Sequence, residues 1–172
     1  MDPYNPPNQK VKTISEEQFR KVTDCLNDLA AKLHVTALLL VDSTGQILAK
    51  KNQSNLKMDQ TLIATLAASS YAAAREMARI SGEKKNFQMV LYEGETQNLF
   101  ISSIDKNCFL MVVFEKGVAL GMVRLFTKRT ILQLTPLLAE HSKEETETNQ
   151  IFTDQFQRQL DQELDQSFKE FE

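Results

Sequence analysis

Asp42 next to Ser43 is the nearest this 172-residue chain comes to a base beside a nucleophile. The pair would need a positioned histidine to become a catalytic triad. His34 and His141 lie in different segments, and nothing in the sequence places either beside it. Asp42-Ser43-Thr44-Gly45 reads better as a turn, because Asp bonds the backbone ahead of it and Gly accepts positive φ. Glu93, Glu95 and Asp105 could pass for paired carboxylates doing acid/base work, but they fall at expected strand ends, where charged turns are ordinary. Neither histidine has a Cys or His at ligand spacing, so no metal site is expected. There is no GxxxxGK[ST] and no GxGxxG, and five glycines leave little with which to build a phosphate cradle. The sequence therefore assigns no catalytic, cofactor-binding or metal-binding residue. It points to binding ahead of catalysis.

The elements that would position a binding surface follow from periodicity. Residues 1–13 are an arm with three prolines and two asparagines, too polar to pack. Ser15 opens a helix with a capping box to Gln18, and Phe19, Val22, Leu26, Leu29 and Leu33 form its apolar row. Val35 to Asp42 is a nearly continuous apolar run, expected as a strand buried on both faces, and Gln46 to Lys50 pairs back as a hairpin. Lys51 to Met58 reads as a polar loop. Asp59 caps a second helix that runs to about Ile80 and stops at Gly82. Phe87–Glu93, Thr96–Ile104 and Cys108–Glu115 read as a three-stranded antiparallel meander, with the last strand central. A third helix starts near Val118 and runs through Leu134, with Pro136 kinking or ending it. The fold class is α+β: a helix–strand–strand–helix–strand–strand–strand–helix sandwich built on a five-stranded antiparallel sheet.

Two surfaces invite a partner. The second helix is rich in small residues. Leu62, Leu66, Ser69, Ala73, Met77 and Ile80 make one face; Ala64, Ala67, Ala68, Tyr71, Arg75 and Ala78 make another. The expectation is that the first lies on the sheet. The second, with Ala72, is smooth enough for another backbone to approach, so Ala64, Ala67, Ala68, Tyr71, Ala72 and Arg75 are the candidate dimer interface. Packing on the chain's own sheet is the competing reading. Beyond a charged linker at 140–150, residues 151–172 carry Phe152, Phe156, Leu160, Leu164, Phe168 and Phe171 at helical spacing, with acids on the other faces. This stripe could fold back, dock in a partner's groove, or lie on a membrane. The acidic polar face argues against the membrane, and a partner's groove is the preferred reading.

Composition fits an ordinary soluble domain with tails: 42% hydrophobic, 25% charged, net charge −3. Nucleic acid needs a clustered basic surface and is not expected. The N-terminus is not of signal type, and no apolar run is long enough to span a bilayer. Cys25 and Cys108 read as reduced core thiols of a cytoplasmic protein.

With this element order, LLLVDSTGQILA as a first hairpin, the Ala-rich second helix, and ALGMVR (Ala119 to Arg124) opening the last helix, the chain resembles the roadblock/dynein light chain family over residues 15–138. Within that family it is most similar to the bacterial MglB type. The resemblance implies a roadblock-type domain at 14–139 and a homodimer formed by second helices and adjoining strands. It implies a small Ras-like GTPase of the MglA type as partner, whose hydrolysis the dimer activates without supplying a catalytic side chain, while the C-terminal helix promotes nucleotide exchange. It further suggests a role in cell polarity or motility and recruitment to a cell pole. An arginine finger can accelerate GTP hydrolysis by about 10³–10⁵. Arg75, Arg79, Arg124 and Arg129 fall on expected helices, where a finger is disfavoured. The alternatives are a roadblock scaffold that recruits a GTPase without changing hydrolysis, and a small-molecule sensor, for which no polar constellation exists.

Overall fold

In the computed structural model the described residues are 15–52 and 57–139. The arm at 1–13, the linker at 140–150 and the stripe at 151–172 lie outside them. The chain divides into two units between Leu137 and Leu138, and the fold described is that of the first. Its elements are α1 (Glu16–Leu33), β1 (Ala37–Asp42), β2 (Ile47–Asn52), α2 (Gln60–Ile80), β3 (Met89–Glu93), β4 (Gln97–Ser103) and β5 (Cys108–Glu115). A third helix, α3, occupies 120–139.

The five strands form one antiparallel sheet in the order β2-β1-β5-β4-β3. β5 is central, as its CFLMVVF run implies. All six residues of β1 and all but the last of β5 are buried, so both faces of the sheet centre are covered. Side chains alternate across a strand. Leu39, Val41, Ile101, Phe109, Met111 and Val113 point to the face on which α2 lies. Leu38, Leu40, Phe100, Leu110, Val112 and Phe114, all 0–1% exposed, point the other way. The buried rows of α1 (Val22, Leu26, Leu29, Leu33) and α3 (Val123, Thr127, Thr130, Leu134) supply the cover there.

Helix α1 starts as its sequence requires. Ser15 Oγ accepts from Gln18 N at 3.3 Å and Gln18 Oε1 accepts from Ser15 N at 3.0 Å, the reciprocal capping box. Its core row differs by one residue from expectation. Phe19 is 47% exposed, and Gln18 is buried, donating from Nε2 to the Leu137 carbonyl at 3.1 Å. At the other end, Lys32 Nζ lies 5.9 Å from the centroid of the Phe126 ring. These two contacts make α1 and α3 antiparallel neighbours.

Two boundaries depart from the sequence pattern. β2 continues through Lys51 and Asn52, which pair with Leu38 and Ala37, because an edge strand tolerates polar residues as long as one side is paired. Helix α3 passes through Pro136. Pro136 is exposed, so the Leu132 carbonyl that loses its helical N–H partner lies on the solvent side, where water can satisfy it.

The β1–β2 turn is held by Asp42, whose Oδ1 accepts from Thr44 N (2.8 Å), Thr44 Oγ1 (2.6 Å) and Gln46 N (2.9 Å). Gly45 sits at φ +92°, and a Cβ there would stand 3.0 Å from the Thr65 Cα of α2. The hairpin turn therefore rests on the helix backbone and admits only glycine. Gly45→Ala should cost about 2 kcal/mol or more, from strain and the forced separation of turn and helix. Gly121→Ala, in α3 with open space around it, should change stability by less than about 1 kcal/mol. Urea unfolding of both variants checks this; a Gly45→Ala midpoint equal to the parent's would refute the close contact.

Candidate interaction surface

Helix α2 is where sequence and structure part. Asp59 caps it, accepting from Leu62 N at 3.0 Å. Ala64, Ala67, Ala68, Tyr71, Ala74 and Ala78 are its buried residues, and the first four belong to the core cluster on the sheet. The small-residue face thus lies on the chain's own sheet, and the expected assignment of the two faces is exchanged. The physical reason is distance: alanines let the helix axis sit close to a sheet already filled by Leu, Met, Val and Phe side chains. Of the residues expected at a dimer interface, Ala64, Ala67, Ala68 and Tyr71 are therefore core residues of the protomer. Ala72 is exposed and Arg75 half-buried.

Tyr71 fastens the helix to the β4–β5 turn. Its ring centroid is 5.0 Å from that of Phe109. Its hydroxyl shares a hydrogen bond with Ser103 Oγ at 2.7 Å and donates to the Asp105 carbonyl at 2.9 Å. One turn on, Arg75 Nη1 donates to the Lys106 carbonyl at 3.0 Å. Asp105 holds the turn itself, its Oδ1 accepting from Asn107 N at 2.7 Å and Cys108 N at 2.9 Å. Burial pushes the Tyr71 phenol above its usual range, with Ser103 and Arg75 partly opposing.

The outward face of α2 carries Leu62, Leu66, Met77 and Ile80, each between 56% and 71% exposed. Beside it runs β3, an edge strand, with Met89 and Tyr92 exposed on it and Phe87 just before it. The Ser70 and Tyr92 hydroxyls are hydrogen-bonded across the gap between helix and strand. Beneath them an open apolar cleft of about 260 Å³ is lined by Ile63, Leu66, Ala67, Ser70, Tyr92 and Leu99. The opposite edge, β2, presents Lys50 and Lys51, charges of the kind that discourage strand addition. Over β3 itself, MVLYE, no lysine does so. An apolar helix row continuous with an unguarded strand edge is the chain's best-formed interaction surface among the described residues.

The residues that could do chemistry are dispersed. Asp42 is engaged in its turn, and Ser43 is exposed with its N–H given to the Asn107 carbonyl at 2.7 Å. His34 is the exposed C-cap of α1, at φ +46°; His141 lies outside the described residues. Glu93, at the end of β3, and Glu95, in the β3–β4 turn, are exposed. Arg79 is paired with Glu76, lowering that carboxyl and raising the guanidinium. Cys108 Sγ donates to Asp105 Oδ1 at 3.3 Å, and burial, with Asp28 and Asp24 nearby, raises the Cys25 thiol. No group of three or more His, Cys, Asp or Glu that could hold a metal occurs among the described residues, and no helix there is long and apolar enough to cross a membrane.

The family profile described as Roadblock/LC7 domain matches residues 21–114. Three solved structures are similar. Myxococcus xanthus MglB is 28% identical, covering 71% of this chain and 98% of that one, with a TM-score of 0.67. A structure described as MglB with tetrameric arrangement is 24% identical, covering 80% and 99%, at 0.71. Gliding protein MglB from Thermus thermophilus is 24% identical, covering 80% and 99%, at 0.69.

The role of Tyr71 is testable. Tyr71→Phe should cost about 1–2 kcal/mol at neutral pH through two lost hydrogen bonds. A folded-state value above the usual 10.0 means the tyrosine's contribution is full below pH 10 and falls as pH rises further, since the unfolded chain ionises first. The gap between parent and variant should therefore narrow above pH 10 in urea titrations. A gap that widened there would contradict the buried neutral phenol.

Proposed function

Because the chain belongs to the Roadblock/LC7 family, we propose that it is a homodimeric regulator of a small Ras-like GTPase of the MglA type, acting as a GTPase-activating protein. The carrying observation is the apolar surface made by the outward row of α2 and the β3 edge. Two copies related by a two-fold axis would pair these rows and edges, extending the sheet across the dimer. Full burial of a large apolar side chain is worth about 1.5–3 kcal/mol. Leu62, Leu66, Met77 and Ile80 are about half exposed, so each would gain roughly 1 kcal/mol. Likeness to MglB structures supports the GTPase partner, and a role in cell polarity or motility follows the same resemblance.

The dimer would act by differential binding. It would hold the GTPase in the conformation competent for the transition state, with the GTPase's own residues doing the chemistry. Arg75 and Arg79 are engaged within the protomer, which fits an activator that inserts no finger. The segment 151–172 would bind elsewhere on the GTPase through Phe152, Phe156, Leu160, Leu164, Phe168 and Phe171 and bias its nucleotide pocket toward exchange. Such a protein works in the cytoplasm and is open to recruitment at a cell pole.

Two measurements check this reading. Leu66→Glu with Met77→Glu changes only exposed positions, so it should leave the far-UV spectrum intact and halve the mass seen by light scattering. A dimer that survives would rule out the α2 surface as its interface. Ala68→Arg is a poor probe, since Ala68 is 6% exposed in the core and the substitution would unfold the protomer. Single-turnover GTP hydrolysis by an MglA-type GTPase, with the full chain and with one ending at Glu140, should accelerate about tenfold or more in both cases, about 1.4 kcal/mol off the barrier. Binding without acceleration would make the protein a scaffold.

A further inference from the structure

Helix α3 has a second face that neither the fold nor the proposed dimer uses. Its buried row, Val123, Thr127, Thr130 and Leu134, faces the interior. On the opposite side Leu125 and Leu132, seven residues apart and so at nearly the same azimuth, are 45% and 67% exposed. Exposed cations flank this row: Arg124 and Lys128 along one side, Arg129 along the other. Lys32 of α1 adds a fourth, and it and Arg129 each stand 5.9 Å from the Phe126 ring between them. None of these four cations forms an ion pair among the described residues. From Lys116 to Ala139 the sequence contains no Asp or Glu.

We propose that this face of α3 is a docking surface for an acidic amphipathic helix of a partner protein. The complement to an apolar row bordered by unpaired cations is an apolar row bordered by carboxylates. The occupant is a narrow protein element, because α1 lies alongside. Asp24 and Asp28 are exposed on α1, away from its buried row. A flat anionic bilayer resting on α3 would meet those acids, whereas a helix lying along α3 avoids them. The surface lies on the sheet face opposite α2, so it does not depend on the proposed dimer contact.

The test is fluorescence anisotropy of the full chain with a labelled model helix bearing Leu at core spacing and Glu on both flanks. A twin peptide with Lys for Glu and vesicles of phosphatidylglycerol serve as comparators. The Glu peptide should bind, and weaken at least about tenfold between about 50 and 300 mM NaCl. Arg124→Glu with Lys128→Glu and Arg129→Glu should abolish binding while leaving the far-UV spectrum and the mass by light scattering unchanged. Lys128→Glu alone should weaken binding severalfold, should the triple variant fold poorly. Leu125→Ser with Leu132→Ser should weaken it about tenfold. No binding by the Glu peptide, equal binding by the Lys peptide, unchanged affinity in the charge-reversed variants, or binding to vesicles in place of the peptide would each overturn the proposal.

Discussion

The close approach of α2 to the sheet is the constraint from which the rest of the architecture follows. β1 and β5 are buried on both faces, so whatever covers them must fit against rows of Leu, Val, Met and Phe with no space to spare. Alanines at 64, 67, 68, 74 and 78 let the helix lie close, with the Tyr71 ring packed beside Phe109. That choice forces the helix's large apolar residues outward. It also brings α2 near enough for the Gly45 turn to touch Thr65 and for Tyr71 and Arg75 to reach the β4–β5 turn. One packing distance thus sets the core, the turn chemistry and the character of the exposed surface.

The parts of the fold that were legible in the sequence are those fixed by local chemistry. Ser15 and Gln18 define a helix start by their own hydrogen bonds, Asp42 defines its turn, and the β-branched and aromatic run CFLMVVF, bounded by turn signals, reads as a central strand. What could not be read depends on what lies across from a residue. Gln18 rather than Phe19 is buried because the Leu137 carbonyl, 119 residues away, accepts its amide. A row of alanines suits a close contact equally with a sheet or with a second molecule, and periodicity does not say which. The long apolar residues of α2 looked like core for the same reason: hydrophobicity marks a face for burial without saying whether the cover comes from the same chain. β3 likewise shows apolar residues on both faces, which fits a buried strand until its edge position is known.

Among the described residues the polar side chains do not converge on one site. Asp42 and Asp105 are both spent on backbone N–H groups of tight turns, and the Tyr71 hydroxyl is spent on tethering α2. Under the proposed function, the protein would act on its partner's reaction by favouring one conformation of that partner over another. The size of such an effect is limited by the difference in affinity for the two conformations, not by the strength of binding. Rigidity of the presenting surface would then matter more than its reactivity, and Tyr71, Arg75 and Gly45 tie α2 to the neighbouring turns.

The two sheet faces also differ in how they expose apolar groups. On α2 the exposed row is nearly free of charge along its centre and borders a strand edge, a combination that suits a like surface from a second copy. On α3 the row is edged by Arg124 and Lys128 on one side and Arg129 on the other, so an identical surface would bring like charges together. If the proposed dimer forms, like charges on α3 would oppose self-association there. The proposed partner of opposite charge would meet no such repulsion, so the two proposed contacts would not exchange places.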